Sequence, residues 1–277
     1  MKANDFMTKE FPLIDKNETL YHAYKVMEKH GVDKMVIYEY VVVAEHREER
    51  RLAGVITSRD IVQKLATQRT RLTTPSSLHV SSFMNAPVVY VTPSEDVVNI
   101  LNIMVEKGYG ILPVVENNDI VGVIYRENLL KLLGEDDTEV RVIMDTQPFV
   151  AKTTDRVLKV RDTMLKKDVS FMPVVDDKND LVGYVTIFDV AYAIFKFQDI
   201  VPAKFRKERI MHLIVEDIMR FRPPTLRITD TVVTAASKIL EKNSRGAIVL
   251  DEIGDIAGVV TIHRIIEHLY EKISQGK

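Results

Sequence analysis

Gly54-Val-Ile-Thr57-Ser-Arg-Asp60 recurs as Gly122-Val-Ile-Tyr125-Arg-Glu-Asn128, Gly183-Tyr-Val-Thr186-Ile-Phe-Asp189 and Gly258-Val-Val-Thr261-Ile-His-Arg264. The glycines stand 68, 61 and 75 residues apart, so the chain is a tandem of four similar units. Self-similarity at such an interval sets the architecture before any local reading does. Each unit also opens alike, with Phe6-Met7, Phe83-Met84, Ile143-Met144 and Ile218-Met219, each followed soon by proline.

Between opening and phrase, every unit carries an apolar stripe at helical spacing and two short β-rich runs. Val97, Leu101, Met104 and Val105 make the stripe of unit two, and Ser94 ahead of it is the expected helix start. Asn17, Thr154 and Thr229 hold the same place in the other units. Runs such as Ile111–Val115 and Ile120–Ile124 are split by polar turn residues. A second helix is expected from about the fourth residue of the phrase. The unit therefore reads as short strand, helix, strand, strand, helix. About 60 residues bury too little surface to stand alone comfortably, so units should pair. Repeats are expected at 1–68, 78–135, 138–197 and 212–274, forming double units at 1–135 and 136–277.

With 277 residues, 46% hydrophobic and 28% charged, the composition is that of a soluble globular chain. A net charge of -2 gives no general attraction to nucleic acid or to an anionic membrane. No apolar run approaches the ~18 residues of a spanning helix, and the first residues lack a signal-peptide core. A cytoplasmic protein is expected. The absence of cysteine excludes disulfides and thiolate sites. Seven histidines show no metal-binding spacing, so no metal is expected, and no Ser/His/Asp set or Walker loop suggests an enzyme.

The β-α-β-β-α unit, the Leu112-Pro-Val-Val115 strand and the Gly-x-x-Thr-x-x-Asp phrase together resemble the CBS repeat. Two such repeats form a Bateman module. Four in one chain resemble the gamma subunit of AMP-activated protein kinase and its small archaeal relatives. The resemblance implies an α/β fold of two modules packed as a disc, with adenosine ligands in clefts between paired repeats. It implies a non-catalytic sensor of AMP, ADP or ATP acting on a regulated enzyme or transporter. S-adenosylmethionine or methylthioadenosine are alternative ligands, and a protein-interaction scaffold with vestigial pockets is a second alternative. A homodimer is a further possibility.

The residues suit a nucleotide on their own chemistry. Thr57 and Thr186 stand where a strand becomes a helix, beside free N–H groups that favour a phosphate. Ser58 and Arg59 add donors in unit one. Asp60 and Asp189, one turn on, have the acceptor oxygens that a ribose's vicinal hydroxyls need. The base would lie between the opening segment and the first β-run, at Pro12 and Val32 in unit one and at Pro148, Val169 and Ser170 in unit three. The competing reading is a capping box, Thr and Asp merely satisfying the helix end. Unit two substitutes Tyr125 and Asn128, leaving a weak or empty site in which Asn128 can still bond a ribose. Unit four substitutes Arg264, so Arg264, His263 and Arg245 are expected to reach a phosphate held by unit three. Lys34, a charge on an apolar strand, is expected to point toward a phosphate as well. The charged run Glu45–Arg51 reads as a solvated hairpin tip or a partner-docking element.

Overall fold

The computed structural model describes residues 1–44, 47–65, 67 and 73–275. Glu45 and His46 of the hairpin tip, and residues 68–72 of the join between the first two repeats, lie outside them. The chain forms two compact units, Met1–Asn128 with Gln198–Lys204, and Leu129–Phe197 with Phe205–Lys277.

In the first unit, repeat one contributes β1 (Leu13–Asp15), α1 (Leu20–His30), β2 (Lys34–Ala44), β3 (Arg47–Thr57) and α2 (Ser58–Lys64). Repeat two contributes α3 (Val97–Glu106), β4 (Ile111–Glu116), β5 (Asp119–Tyr125) and α4 (Arg126–Leu129). β1 runs parallel to β2 and β2 antiparallel to β3, while β4 and β5 form a second hairpin. Val36 and Val55 pack on Ile111 and Val123, so the hairpins of the two repeats share one core. Leu20, Ala23 and Met27 of α1, and Ile100, Leu101 and Met104 of α3, are wholly buried, which is what the apolar stripes require.

The second unit repeats the plan with β6 (Ala151–Lys152), α5 (Val157–Lys166), β7 (Phe171–Val175), β8 (Leu181–Thr186) and most of α6 (Ile187–Ile200), followed by α7 (Ala203–Arg209), which belongs to it from Phe205 on. Then come β9 (Arg220–Phe221), β10 (Thr225–Arg227), α8 (Val232–Glu241), β11 (Gly246–Leu250), β12 (Ile256–Thr261) and α9 (Ile262–Gln275). Its shared core is Phe171, Tyr184, Ile248 and Val259.

One local expectation shifts. The first helices start two residues later than Asn17, Ser94, Thr154 and Thr229. Those residues sit inside tight turns closed by backbone bonds such as Glu95 N to Thr92 O at 3.0 Å. The caps are Thr19, Asp96, Arg156 and Thr231, and Thr19 accepts from the amide of His22. The acidic join between repeats two and three, Gly134-Glu-Asp-Asp-Thr138, is held to the last helix. Asp136 is buried, accepting from His268 and Lys272 of α9, each at 2.9 Å, and from the Thr138 amide at 3.0 Å. Burial opposes ionisation there, but these donors outweigh it and hold the carboxyl far below the usual range.

Candidate functional site

The opening segments cross over within each unit. Asn85, from the opening of repeat two, bridges to Val55 in β3 of repeat one, and Thr8 of repeat one bridges to Val123 in β5. In the second unit Arg220 pairs with Tyr184 and Asp145 with Val259. The opening that lies against each phrase's strand therefore comes from the paired repeat. The phrase's leading glycine follows from this crossing. A Cβ on Gly54 would stand 2.6 Å from the Asn85 carbonyl, and one on Gly183 2.6 Å from that of Arg220. Glycine lets a foreign backbone lie directly against the strand.

The crossing brings a second side chain to each phrase. Asp60 is buried at the start of α2, and its Oδ2 accepts from the Thr57 amide at 2.8 Å and the Thr57 hydroxyl at 2.7 Å. Its Oδ1 accepts from the Asn85 side-chain amide at 2.7 Å. Asp189 repeats the first half, with Thr186 N and Oγ1 at 2.9 and 2.6 Å. Its Oδ1, however, accepts from Arg220 Nε at 2.7 Å. The capping box is thus formed in both intact phrases, and each acid also reaches across to the other repeat. A carboxylate has about four lone-pair directions, so one acceptor direction is left on each.

Arg220 has further neighbours. Tyr184 hydrogen-bonds it, and the Phe188 ring lies 5.9 Å from its guanidinium carbon. Burial would lower its pKa, but Asp189 and Tyr184 together hold it above the ordinary value, so the guanidinium stays charged. Burial pushes the Tyr184 hydroxyl up. Ser58 of α2 is replaced in α6 by Ile187, and both are buried. Their amides donate to Asp33 O at 2.8 Å and to Ser170 O at 3.0 Å. Asp33 and Ser170 are thus equivalent, directly after the predicted base residues Val32 and Val169. Arg59, half-buried, follows Ser58 on α2.

Pro12 is buried where the chain leaves the Phe6–Thr8 opening on β5 and returns to β1. Pro148 is half-buried in the same position of repeat three. In repeat two, Asn128 Oδ1 accepts from the Tyr125 amide at 2.8 Å, and its amide nitrogen donates to Thr8 Oγ1 at 3.2 Å. The Tyr125 hydroxyl is buried without a hydrogen-bond partner among the described residues.

The side chains of Lys34, Arg264 and His263 have protein partners. Lys34, nearly buried, lies 3.1 Å from Glu127 and 3.7 Å from Asp33, two carboxylates that neutralise it inside the first unit. Arg264 donates to Ile143 O at 3.2 Å and to Glu267 at 2.9 Å, so it meets the opening of repeat three while Asp189 meets that of repeat four. Arg245 is half-buried, and its carbonyl accepts from the Ile262 amide at 3.1 Å, matching Asp33 and Ser170. His263 pairs with Glu267 at 3.2 Å. A depression of about 650 Å³ in the first unit is lined by Lys2, Asp5, Met7, Lys9, Glu116 and neighbours, and by none of the predicted site residues.

Asn85 and Arg220 were missed in the sequence, though a signal was there. The residue after each opening methionine is Thr8, Asn85, Asp145 or Arg220, and the phrase it crosses to ends in Asn128, Asp60, Arg264 or Asp189. Each combination is chemically complementary.

Among the described residues no helix is long and apolar enough to cross a membrane, and no cluster could hold a metal ion. Protein MJ1225 of Methanocaldococcus jannaschii is 28% identical over 158 residues, 52% of this chain and 55% of that protein. MJ0188 of the same organism is 32% identical over 117 residues, 41% of this chain and 43% of that protein. The chain therefore spans about half the length of these two relatives. A 33.4 kDa protein of Thermofilum pendens is 25% identical over 232 residues, 79% of this chain and 77% of that one. The crystal structure of MJ1225, considered an archaeal homolog of g-AMPK, superposes with a TM-score of 0.80 at 18% identity. It covers 97% of this chain and 99% of that one, a likeness of fold. Residues 3–67, 80–135, 139–196 and 215–271 each match the family model of the CBS domain, and the chain belongs to that family with four repeats.

Proposed function

We propose that the chain is a non-catalytic, cytoplasmic regulatory protein that binds adenosine nucleotides, AMP, ADP or ATP, at Asp60 and Asp189. The observation that carries this is the state of the two acids. Each is buried, fixed by its own threonine on one oxygen, and tied through the other to a side chain from the paired repeat. A ribose offers two hydroxyls, but each carboxylate has about one acceptor direction left. The second hydroxyl must displace Asn85 or Arg220. Binding therefore competes with a contact that joins two repeats, and a ligand with that differential affinity shifts their arrangement. A partner enzyme or transporter would read the shift.

Arg220 favours a phosphate-bearing ligand at Asp189, because a displaced guanidinium keeps its charge and its remaining donors. Beside Asp60 the neutral Asn85 offers no such charge, which favours S-adenosylmethionine or methylthioadenosine as the alternative ligand there. Thermal melting tests the reading. AMP should raise the melting temperature and 2′-deoxy-AMP should raise it far less. If no adenosine compound raises it, the pockets are vestigial and the scaffold reading replaces this one.

A further inference from the structure

Lys34 opens β2, and its register partner on β3 is Thr57 of the phrase. The same place is held by Ile111, Phe171 and Gly246 in the later repeats, opposite Tyr125, Thr186 and Thr261. Repeat one alone puts a charge there, and Lys34 is nearly buried. Register partners in an antiparallel pair stand on one face of the sheet. The lysine therefore shares a face with Thr57, whose hydroxyl is 2.7 Å from Asp60 Oδ2.

From that face the side chain crosses to repeat two. Its ammonium lies 3.1 Å from Glu127 Oε1, 3.7 Å from Asp33 Oδ1 and 5.9 Å from the centre of the Tyr125 ring. A Cβ on Gly110 would stand 3.4 Å from the ammonium, so glycine leaves the lysine its room. Tyr125 and Glu127 belong to the second phrase, and one side chain thus spans both phrases of the first unit. The two acids are mostly buried. The Tyr125 hydroxyl feels their charge, since burial pushes its pKa up and Glu127 and Asp33 push it further.

The second unit has an acid at neither place. Ser170 stands where Asp33 does, its carbonyl taking the Ile187 amide as that of Asp33 takes the Ser58 amide. His263 stands where Glu127 does, next to last in its phrase.

We infer that Glu127 selects the ligand held at Asp60 by charge. Lys34, beside Thr57 and Asp60, is the cation that a phosphate on that ribose would need, and Glu127 and Asp33 already hold it. A phosphate that takes the lysine leaves two mostly buried carboxylates beside its own negative charge, and like charges brought together are costly. An adenosine whose 5′ substituent is neutral or positive meets no such opposition. Arg59 remains as a cation of the same phrase, so AMP still binds at Asp60, but less tightly than adenosine. The inference rests on the ribose reading of Asp60 and adds the residue that sets its ligand class.

Titration calorimetry of the Asp189→Asn chain, in which the second unit's site is weakened, reads the first unit with adenosine and with AMP. Adenosine should bind about tenfold tighter than AMP. Adding Glu127→Gln, which keeps the shape and removes the charge, releases Lys34 and should move the ratio at least about tenfold toward AMP. Adding Lys34→Met instead should move it further toward adenosine. A purely structural role would weaken both ligands together and leave the ratio where it was. AMP binding tighter than adenosine while Glu127 is intact, or a ratio that Glu127→Gln does not move, overturns the inference and leaves the ribose reading standing. If neither ligand binds, the ribose reading falls and the inference falls with it.

Discussion

Asp60 and Asp189 occupy the same place in the same phrase, yet one is tied to a neutral amide and the other to a guanidinium. The helix behind them differs too, since α2 runs 7 residues and α6 runs 14. The phrase fixes where the acid stands, and the crossing segment from the other repeat fixes what it costs to use. Displacing Asn85 from Asp60 costs one hydrogen bond from a neutral amide to a carboxylate. Displacing Arg220 breaks a charged pair in which the acid is nearly buried.

Removing the acids should give the largest contrast. Asp189→Ala leaves Arg220 without its carboxylate and the Thr186 amide and hydroxyl without their acceptor. Arg220 is partly exposed, so the full penalty of a buried pair does not apply. A loss of about 2–3 kcal/mol is expected in urea denaturation. Asp60→Ala should cost about 1–2 kcal/mol. Both losses come from the protein contacts of the acids, apart from any ligand. Equal losses in the two variants would erase the distinction between the sites.

Exchanging the crossing residues should convert one site toward the other. Arg220→Asn should lower the preference for AMP over adenosine at Asp189 by about tenfold, and Asn85→Arg should raise it at Asp60 by a similar factor. Titration calorimetry of each variant with both ligands reads this. An unchanged preference would mean that the guanidinium does not meet the phosphate.

Gly54→Ala and Gly183→Ala sharpen the comparison from the side where the units agree. Each new Cβ must push away a carbonyl at 2.6 Å, so each should cost about 1–3 kcal/mol and weaken its own unit's site. The smallest effect concerns acid. Asp136 ionises more readily in the fold than in the unfolded chain, so its contribution is full above the ordinary carboxylate pKa. That contribution is lost as pH falls below about 4. Asp136→Asn should remove about 1 kcal/mol at neutral pH and flatten the acid limb of stability against pH. A variant with the wild-type acid limb would assign the slope to other groups.

The fold was legible because four copies of one pattern agreed, and because stripes such as Leu20, Ala23 and Met27 could only be buried faces. The acids were legible through their phrase. What was not legible was the exchange of opening segments between paired repeats. The Phe6–Thr8 segment lies against β5 of repeat two, and Asn85 of repeat two lies against β3 beside Asp60. Lys34 shows the same reach between repeats. Its two carboxylate partners are Asp33, its neighbour in sequence, and Glu127, which lies in the other repeat.

The central claim is that the charge on Asp60 and Asp189 holds the ligand's ribose. Asparagine at either place should keep the helix cap, as Asn128 does in repeat two, while removing the charge. Calorimetric titration with AMP should show two sites in the wild type. Asp60→Asn and Asp189→Asn should each weaken one of them by about 10- to 30-fold. A wild type that binds no AMP, or two variants that bind it with unaltered affinity and stoichiometry, would contradict the account.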